Sequence, residues 1–353
     1  MKVAVVLFNL GAPGRLEAVR PFLRNLFGDP AILRLPWPLR ASLARLIAWR
    51  RAPEARRIYA AMGGASPLLA ETVAQAEALA ARLADAGGGA EFSVFVAMRH
   101  WRPSTRETVR RVAARAPDRI VLLPLYPQFS TTTTASSLAA WRREARALGL
   151  SAPTATICCY PDAAGWVASQ ADLLAAAIRA SGCDAARLRI LFSAHGLPRR
   201  IVQAGDPYPE QVDRTARAIV AALAGRFDDL DWRVCYQSRV GPLEWIGPST
   251  ASEVERGARA GKVLVVAPIS FVSEHAETLV ELDMEYRALA QRNGAPGFHR
   301  VPAVGTHGDF IAGLAAMAAA AARGPAGTAC VPHGRLCGAE VGACPGAAAP
   351  IRG

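Results

Sequence analysis

Eight short runs of apolar, largely β-branched residues recur along the chain, near 2–8, 91–98, 119–125, 154–159, 187–193, 231–236, 262–268 and 298–302. Leu188-Arg189-Ile190-Leu191-Phe192 and Val263-Leu264-Val265-Val266 are typical, hydrophobic almost throughout instead of alternating with polar positions. Runs of that kind are buried on both faces, which is the habit of parallel strands. Between them the apolar positions change to a helical period, at 67–86, 135–148, 164–180, 208–224 and 274–292. Strand and helix alternating along a whole chain predict an α/β protein, a mostly parallel sheet covered on both faces. No Gly-x-Gly-x-x-Gly follows any strand, which counts against a strict dinucleotide-binding fold. A chain of 353 residues exceeds the usual single core, so two similar lobes with four-stranded parallel sheets are expected. The break falls near Tyr160-Pro161-Asp162, giving lobes at 1–160 and 161–308. A helix at 309–323 is expected to pack back on the first lobe, ahead of a cysteine-containing tail at 324–353.

One segment departs from this alternation. Between Leu33 and Ala61, Leu35, Trp37, Leu39, Leu43, Leu46, Ile47 and Trp49 are interspersed with Arg40, Arg45, Arg50 and Arg51. A basic amphipathic helix with tryptophans suits either a membrane surface or a lip over a pocket, the plainer alternative being a surface helix packed on the core.

Composition narrows the classes. The formal charge is +12, yet of 41 basic residues only Lys2 and Lys262 are lysines. A basic surface favours anionic partners. No basic block interleaved with aromatics suggests a base-reading surface, so nucleic acid is not an expected partner. Scarce lysine also argues against Schiff-base or P-loop chemistry. The longest apolar stretch, Leu314 to Ala322, is too short to span a bilayer, and Met1 to Phe8 lacks the length and cleavage site of a signal peptide. A cytoplasmic protein is expected, in which seven cysteines do not form a disulfide framework.

Candidate chemistry sits just past two strands, where open α/β sheets bind ligands. One strand delivers Ser193-Ala194-His195-Gly196-Leu197-Pro198, the other Ser273-Glu274-His275-Ala276-Glu277-Thr278-Leu279. Imidazole and carboxylate are the groups that hold a divalent metal or move protons near neutral pH. Glu274, Glu277, Glu281 and Glu285 fall at helical spacing, a stripe able to relay protons or hydrated cations away from the site. A metallohydrolase built on His195, His275 and Glu277 would want a further fixed ligand, and no His-Glu-x-x-His is present.

These segments, together with Tyr236-Gln237-Ser238-Arg239-Val240-Gly241-Pro242-Leu243-Glu244-Trp245-Ile246-Gly247-Pro248, Phe22-Leu23-Arg24-Asn25-Leu26-Phe27-Gly28-Asp29-Pro30 and Leu125-Tyr126-Pro127-Gln128-Phe129-Ser130, resemble the ferrochelatases. The resemblance runs from about Val3 to His307. It implies two Rossmann-like lobes with a porphyrin cleft between them, and insertion of Fe²⁺ into protoporphyrin IX with release of two protons. It implies that His195 and Glu277 are the active-site histidine and glutamate, both assigned to iron binding or to pyrrole deprotonation, with Glu274, His275 and Glu281 behind them. Leu10, Arg99, Tyr126, Ser130, Trp245 and Phe271 match positions on the porphyrin pocket, Arg99 as partner for a propionate. Tyr126-Pro127-Gln128 resembles members using protoporphyrin rather than coproporphyrin. Ala60 and Ala61 stand where some members carry two arginines, so a carboxylate contact from that loop is not expected. A homodimer and peripheral membrane contact accompany this reading. A non-catalytic tetrapyrrole carrier is the rival, and it could dispense with Glu277.

The tail adds Cys330, Cys337 and Cys344 at equal spacing. Some microbial ferrochelatases resemble this layout and bind a [2Fe–2S] cluster through three late cysteines and one internal, which here implies Cys158, or its neighbour Cys159. Animal members place the internal cysteine where Thr131 stands. A structural zinc site using His333, or a tail of uncommitted thiols, remains open.

Overall fold

The structure, a computed structural model, describes residues 1–86, 89–239, 241, 243–331 and 337. Its contacts divide the chain into two units: Met1–Cys159 with residues 314–331, and Tyr160–Gly313 with Cys337.

The first unit is built on strands β1 (Lys2–Asn9), β2 (Glu91–Met98), β3 (Arg119–Pro124) and β4 (Thr154–Cys159). β1 is buried at every position after Lys2, as its unbroken apolar run requires of a central strand. The second unit holds β5 (Leu188–His195), β6 (Trp232–Gln237), β7 (Val263–Pro268) and β8 (Phe298–Arg300), in the order β6-β5-β7-β8 and parallel throughout. All eight expected strands are present within a residue or two. The sheets are not both four-stranded, however. A ninth strand, β9 (Gly327–Cys330), comes from the stretch read as tail and pairs in parallel with β4, so the first sheet runs β2-β1-β3-β4-β9. Gly-Thr-Ala-Cys carries too little hydrophobic pattern to signal a strand; the exposed edge of β4 recruits it.

The helices are α1 (Val19–Phe27), α2 (Trp37–Ala61), α3 (Leu68–Ala86), α4 (Thr105–Ala114), α5 (Thr134–Ala147), α6 (Ala164–Ala180), α7 (Arg199–Gln203), α8 (Tyr208–Leu223), α9 (Thr250–Arg259), α10 (Tyr286–Arg292) and α11 (Gly308–Arg323). α4 starts at a capping box in which Ser104 and Glu107 exchange side-chain and backbone hydrogen bonds. It packs with α5 on the sheet, where Phe8, Val109, Val112, Leu122 and Trp141 form one core. In the second unit Leu191, Val254, Val266, Leu282 and Phe298 form another. α2 packs Ala48 and Ala52 against Val19, Phe22 and Leu23 of α1, while Trp37, Leu39, Leu46 and Trp49 remain exposed. No described helix is long and apolar enough to cross a membrane.

The segment expected to be a single helix at 274–292 is different in kind. Glu277–Glu285 is a π-helix, and the α-helix α10 begins only at Tyr286. π-Helices close hydrogen bonds five residues apart and gather at functional sites. In each sheet the order reverses beside one central strand, β1 in the first and β5 in the second. The crevice at the carboxyl ends of those strands is where such sheets bind ligands.

Candidate active site

In the second unit, β5, β6 and β7 all point their carboxyl ends at one locus. His195 is the last residue of β5, Gln237 the last of β6, and the segment after β7 leads into the π-helix. His195 Nδ1 lies 2.8 Å from Glu277 Oε2, with both side chains partly exposed, at 40% and 30%. An ionised carboxylate only accepts, so Nδ1 carries the proton and Nε2 is left with its lone pair. Burial opposes charge on His195, but the Glu277 carboxylate, its hydrogen bond and Glu281 outweigh it and raise the imidazole above its ordinary value. Burial likewise opposes the Glu277 charge; the charge and hydrogen bond of His195 override it and bring the carboxyl down to about 2. The pair is built to carry a proton on the imidazole beside a permanent anion.

His275 takes a different state. Its Nδ1 accepts from the Glu277 backbone N–H at 3.0 Å, so its lone pair is committed to positioning Glu277. Burial lowers it, although Glu277 and Glu274 pull the other way. Phe271 meets its ring edge-to-face at 4.6 Å. Glu274 is not part of an acidic stripe, as helical spacing had suggested. Its Oε1 accepts from Arg300 Nη1 at 2.7 Å and from the Ala303 N–H at 3.0 Å, and Oε2 accepts from the Thr278 hydroxyl. Glu281 turns to Ser238 and Tyr286, and Glu285 is exposed. The regular stripe assumed an α-helix from residue 274 onward, and the π-helix starts three residues later.

Trp245 packs on Gly196: a Cβ at that glycine would meet the Gln237 carbonyl at 2.8 Å and the indole at 3.2 Å. The two segments are tied by the Ile246 N–H donating to Leu197 O at 3.0 Å. The loop after His195 therefore needs glycine for close approach, and Trp245 forms its cover.

In the first unit, Leu10, Arg99 and Tyr126 gather at the carboxyl ends of β1, β2 and β3. The Arg99 N–H donates to Asn9 O at 2.8 Å and the His100 N–H to Leu10 O at 2.9 Å. Arg99 already has carboxylate company: Nη2 is 2.8 Å from buried Asp29 Oδ2, and Nε donates to Ser136 Oγ at 2.7 Å. A propionate contact by Arg99 would share the guanidinium with Asp29. The Tyr126 ring rests on the core beside Trp141, and burial holds its hydroxyl protonated far above the ordinary range. Ser130 is buried, and its Oγ accepts from the Thr132 N–H at 3.1 Å in the turn before α5.

The same unit holds a thiol cluster. Cys158, Cys159 and Cys330 are buried with their Sγ atoms all within 4.8 Å of one another. Adjacent strand residues ordinarily face opposite ways. Here the β4–β9 register shifts between Ile157 and Cys159, and such a bulge re-aims side chains so that neighbours share a face. Cys337, in the other unit, is buried with Gln211 Nε2 3.5 Å from its Sγ. Cys344 and His333 lie outside the described residues.

Sequence reasoning did not weigh Gln237, Ser238, Tyr286 or Asp29 as site residues. The available signal was a third strand end, Tyr236-Gln237-Ser238, delivered like the other two. Ser238 adds a left-handed φ of 62°, unusual away from glycine and common at functional sites.

The family model described as Ferrochelatase matches residues 2–322. The ferrochelatase of Phenylobacterium zucineum (strain HLK1) is 55% identical over 318 residues, which cover 90% of this chain and 91% of that protein. The ferrochelatase of Caulobacter vibrioides (strain NA1000 / CB15N) is 51% identical over 344 residues, covering 98% of this chain and 97% of that protein. Among solved structures, SirB from Bacillus subtilis with Fe³⁺ aligns with a TM-score of 0.50 at 12% identity, covering 92% of this chain and 96% of that one, a likeness of fold.

Proposed function

The chain belongs to the ferrochelatase family, an enzyme of haem biosynthesis that inserts Fe²⁺ into protoporphyrin, and from that premise we propose that His195 and Glu277 carry the chemistry. The observation that supports this most is the 2.8 Å contact between His195 Nδ1 and Glu277 Oε2. Metallation must remove two pyrrole protons and strip water from an incoming cation. His195 Nε2, freed by the tautomer that Glu277 imposes, accepts a pyrrole proton, and the imidazolium so formed rests against the carboxylate. Glu277 stays ionised throughout, so its charge also attracts Fe²⁺, the substrate metal. His275 fixes the Glu277 backbone. Trp245, packed on Gly196, and Phe271, against the His275 ring, offer the macrocycle apolar surface beside the pair, and binding there provides strain that bends the ring.

A first test mixes the protein with Fe²⁺ and protoporphyrin under anaerobic conditions and follows collapse of the porphyrin Q bands. His195→Ala and Glu277→Gln are each expected to slow this by orders of magnitude while porphyrin binding, read by fluorescence quenching, survives. Loss of porphyrin affinity in parallel with rate would show these residues to be structural. Tight binding without turnover in the wild type would make the protein a carrier.

We also propose a [2Fe–2S] cluster held by Cys158, Cys330, Cys337 and Cys344. Its support in this chain is the thiol trio Cys158, Cys159 and Cys330, soft ligands of the kind such clusters require. The cluster would supply structure, since the chemistry above has no use for an electron carrier. Protein purified without oxygen should be reddish, with about two irons and two sulfides per chain. Serine at Cys330 should bleach it, and colourless protein with one zinc per chain would contradict the reading.

Finally, α2 is proposed to lie against anionic lipid. Trp37 and Trp49 are 72% and 60% exposed, beside exposed Arg45 and Arg50. Each arginine near such a surface contributes about 1 kcal/mol at best. Salt-sensitive co-sedimentation with phosphatidylserine vesicles, weakened by Leu46→Ala with Trp49→Ala, is the expected result; no binding at low salt would end the idea.

A further inference from the structure

Glu281 sits one turn of the π-helix beyond Glu277, where a relay would pass through it. Its carboxylate is fully occupied. Oε1 accepts from the Ser238 N–H at 2.8 Å and from the Tyr286 hydroxyl at 2.8 Å. Oε2 accepts from the Ser238 hydroxyl and from Gln237 Nε2 at 3.2 Å. A carboxylate has about four lone-pair sites, and four donors fill them. A hydrated cation or a shuttling proton would have to displace one of these bonds.

The donors have holds of their own. Gln237 is buried at the end of β6, its Oε1 accepts from Ser193 Oγ at 2.8 Å, and its Nε2 also reaches the Glu277 carbonyl at 3.3 Å. Tyr286 grips Glu281 twice, since its backbone N–H donates to the Glu281 carbonyl where the π-helix ends. Burial and the neighbouring carboxylate keep its phenol protonated as a donor. The strand end thus touches the π-helix at Glu277 and again at Glu281.

We propose that Gln237, Ser238 and Tyr286 are positioning residues that clamp the π-helix through Glu281 and so hold the Glu277 carboxylate on His195. Glu281 is then an anchor and not a station for protons or iron. The inference rests on the assignment of His195 and Glu277 to the chemistry.

Tyr286→Phe separates anchor from relay, because it deletes a donor and leaves every carboxylate in place. The clamp predicts that kcat for metallation falls about tenfold, the scale of a lost hydrogen bond to a charged group, while KM for protoporphyrin and for the metal is unchanged. Glu281→Gln should behave alike, and the double variant should lose no more than Glu281→Gln alone. Ser238→Gly keeps the left-handed turn and removes only the hydroxyl, so a smaller loss of the same form is expected. All variants are assayed at a temperature where circular dichroism shows them folded. Wild-type kcat in Tyr286→Phe, or a raised KM for the metal with kcat preserved in Glu281→Gln, would overturn the clamp. Turnover surviving in His195→Ala would instead overturn the assignment beneath it.

Discussion

At the scale of single residues, the site is two titratable groups whose shifts oppose each other. His195 is raised from 6.5, so the stability it contributes is complete below 6.5 and is lost as pH rises through its folded value. Glu277 is lowered from 4.5 to about 2, so its contribution is complete above 4.5 and is lost as pH falls towards 2. The stability difference between wild type and Glu277→Gln should therefore be greatest between about pH 4.5 and 6.5 and shrink on either side. Urea unfolding across pH measures it, and a difference that does not vary with pH would contradict the pairing. Both residues drew notice in the sequence because imidazole and carboxylate follow buried strands, and the family resemblance singled them out; the structure puts them in contact. Gln237 and Ser238 drew none. A neutral side chain has no chemistry to advertise, and its importance arises only when folding brings Glu277 and Glu281 to it.

Among the elements, parallel strands were read almost to the residue, since burial on both faces leaves an unbroken apolar run such as Val263–Pro268. The π-helix was not legible: hydrogen bonds closing over five residues instead of four leave no compositional trace in Glu277–Glu285. The spacing that suggested an acidic stripe was real in the sequence and was undone by the π-helix and by Arg300, which captures Glu274 from the neighbouring strand β8. Helix contacts yield a sharper test. Gly165 of α6 lies so near α11 that a Cβ would stand 2.4 Å from the Asp309 carbonyl and 2.9 Å from Gly313 Cα. Both obstacles are backbone, so Gly165→Ala should destabilise the protein by about 1–3 kcal/mol, read as a lower denaturation midpoint at unchanged slope. A midpoint equal to wild type would mean that the helices part freely.

For the whole molecule, two parallel-sheet units were foreseen from length and alternation, but the fifth strand was not. β9 covers the edge of β4 at the point where Cys158 and Cys159 are buried, so the start of the tail is part of the first sheet. A chain ending at Gly324 should unfold at a lower temperature than one ending at Val331, which keeps β9; equal unfolding temperatures would show the strand to be dispensable. The central claim is that His195 and Glu277 act as one device, imidazole and carboxylate serving the same metallation step through their contact. The most direct measurement is the rate of metal insertion into protoporphyrin by His195→Ala, Glu277→Gln and the double variant side by side. Residues acting as a unit give losses that do not multiply, so the double variant should be no slower than the worse single one. A double variant slowed by the product of the two single losses would show two independent groups, and would contradict the account.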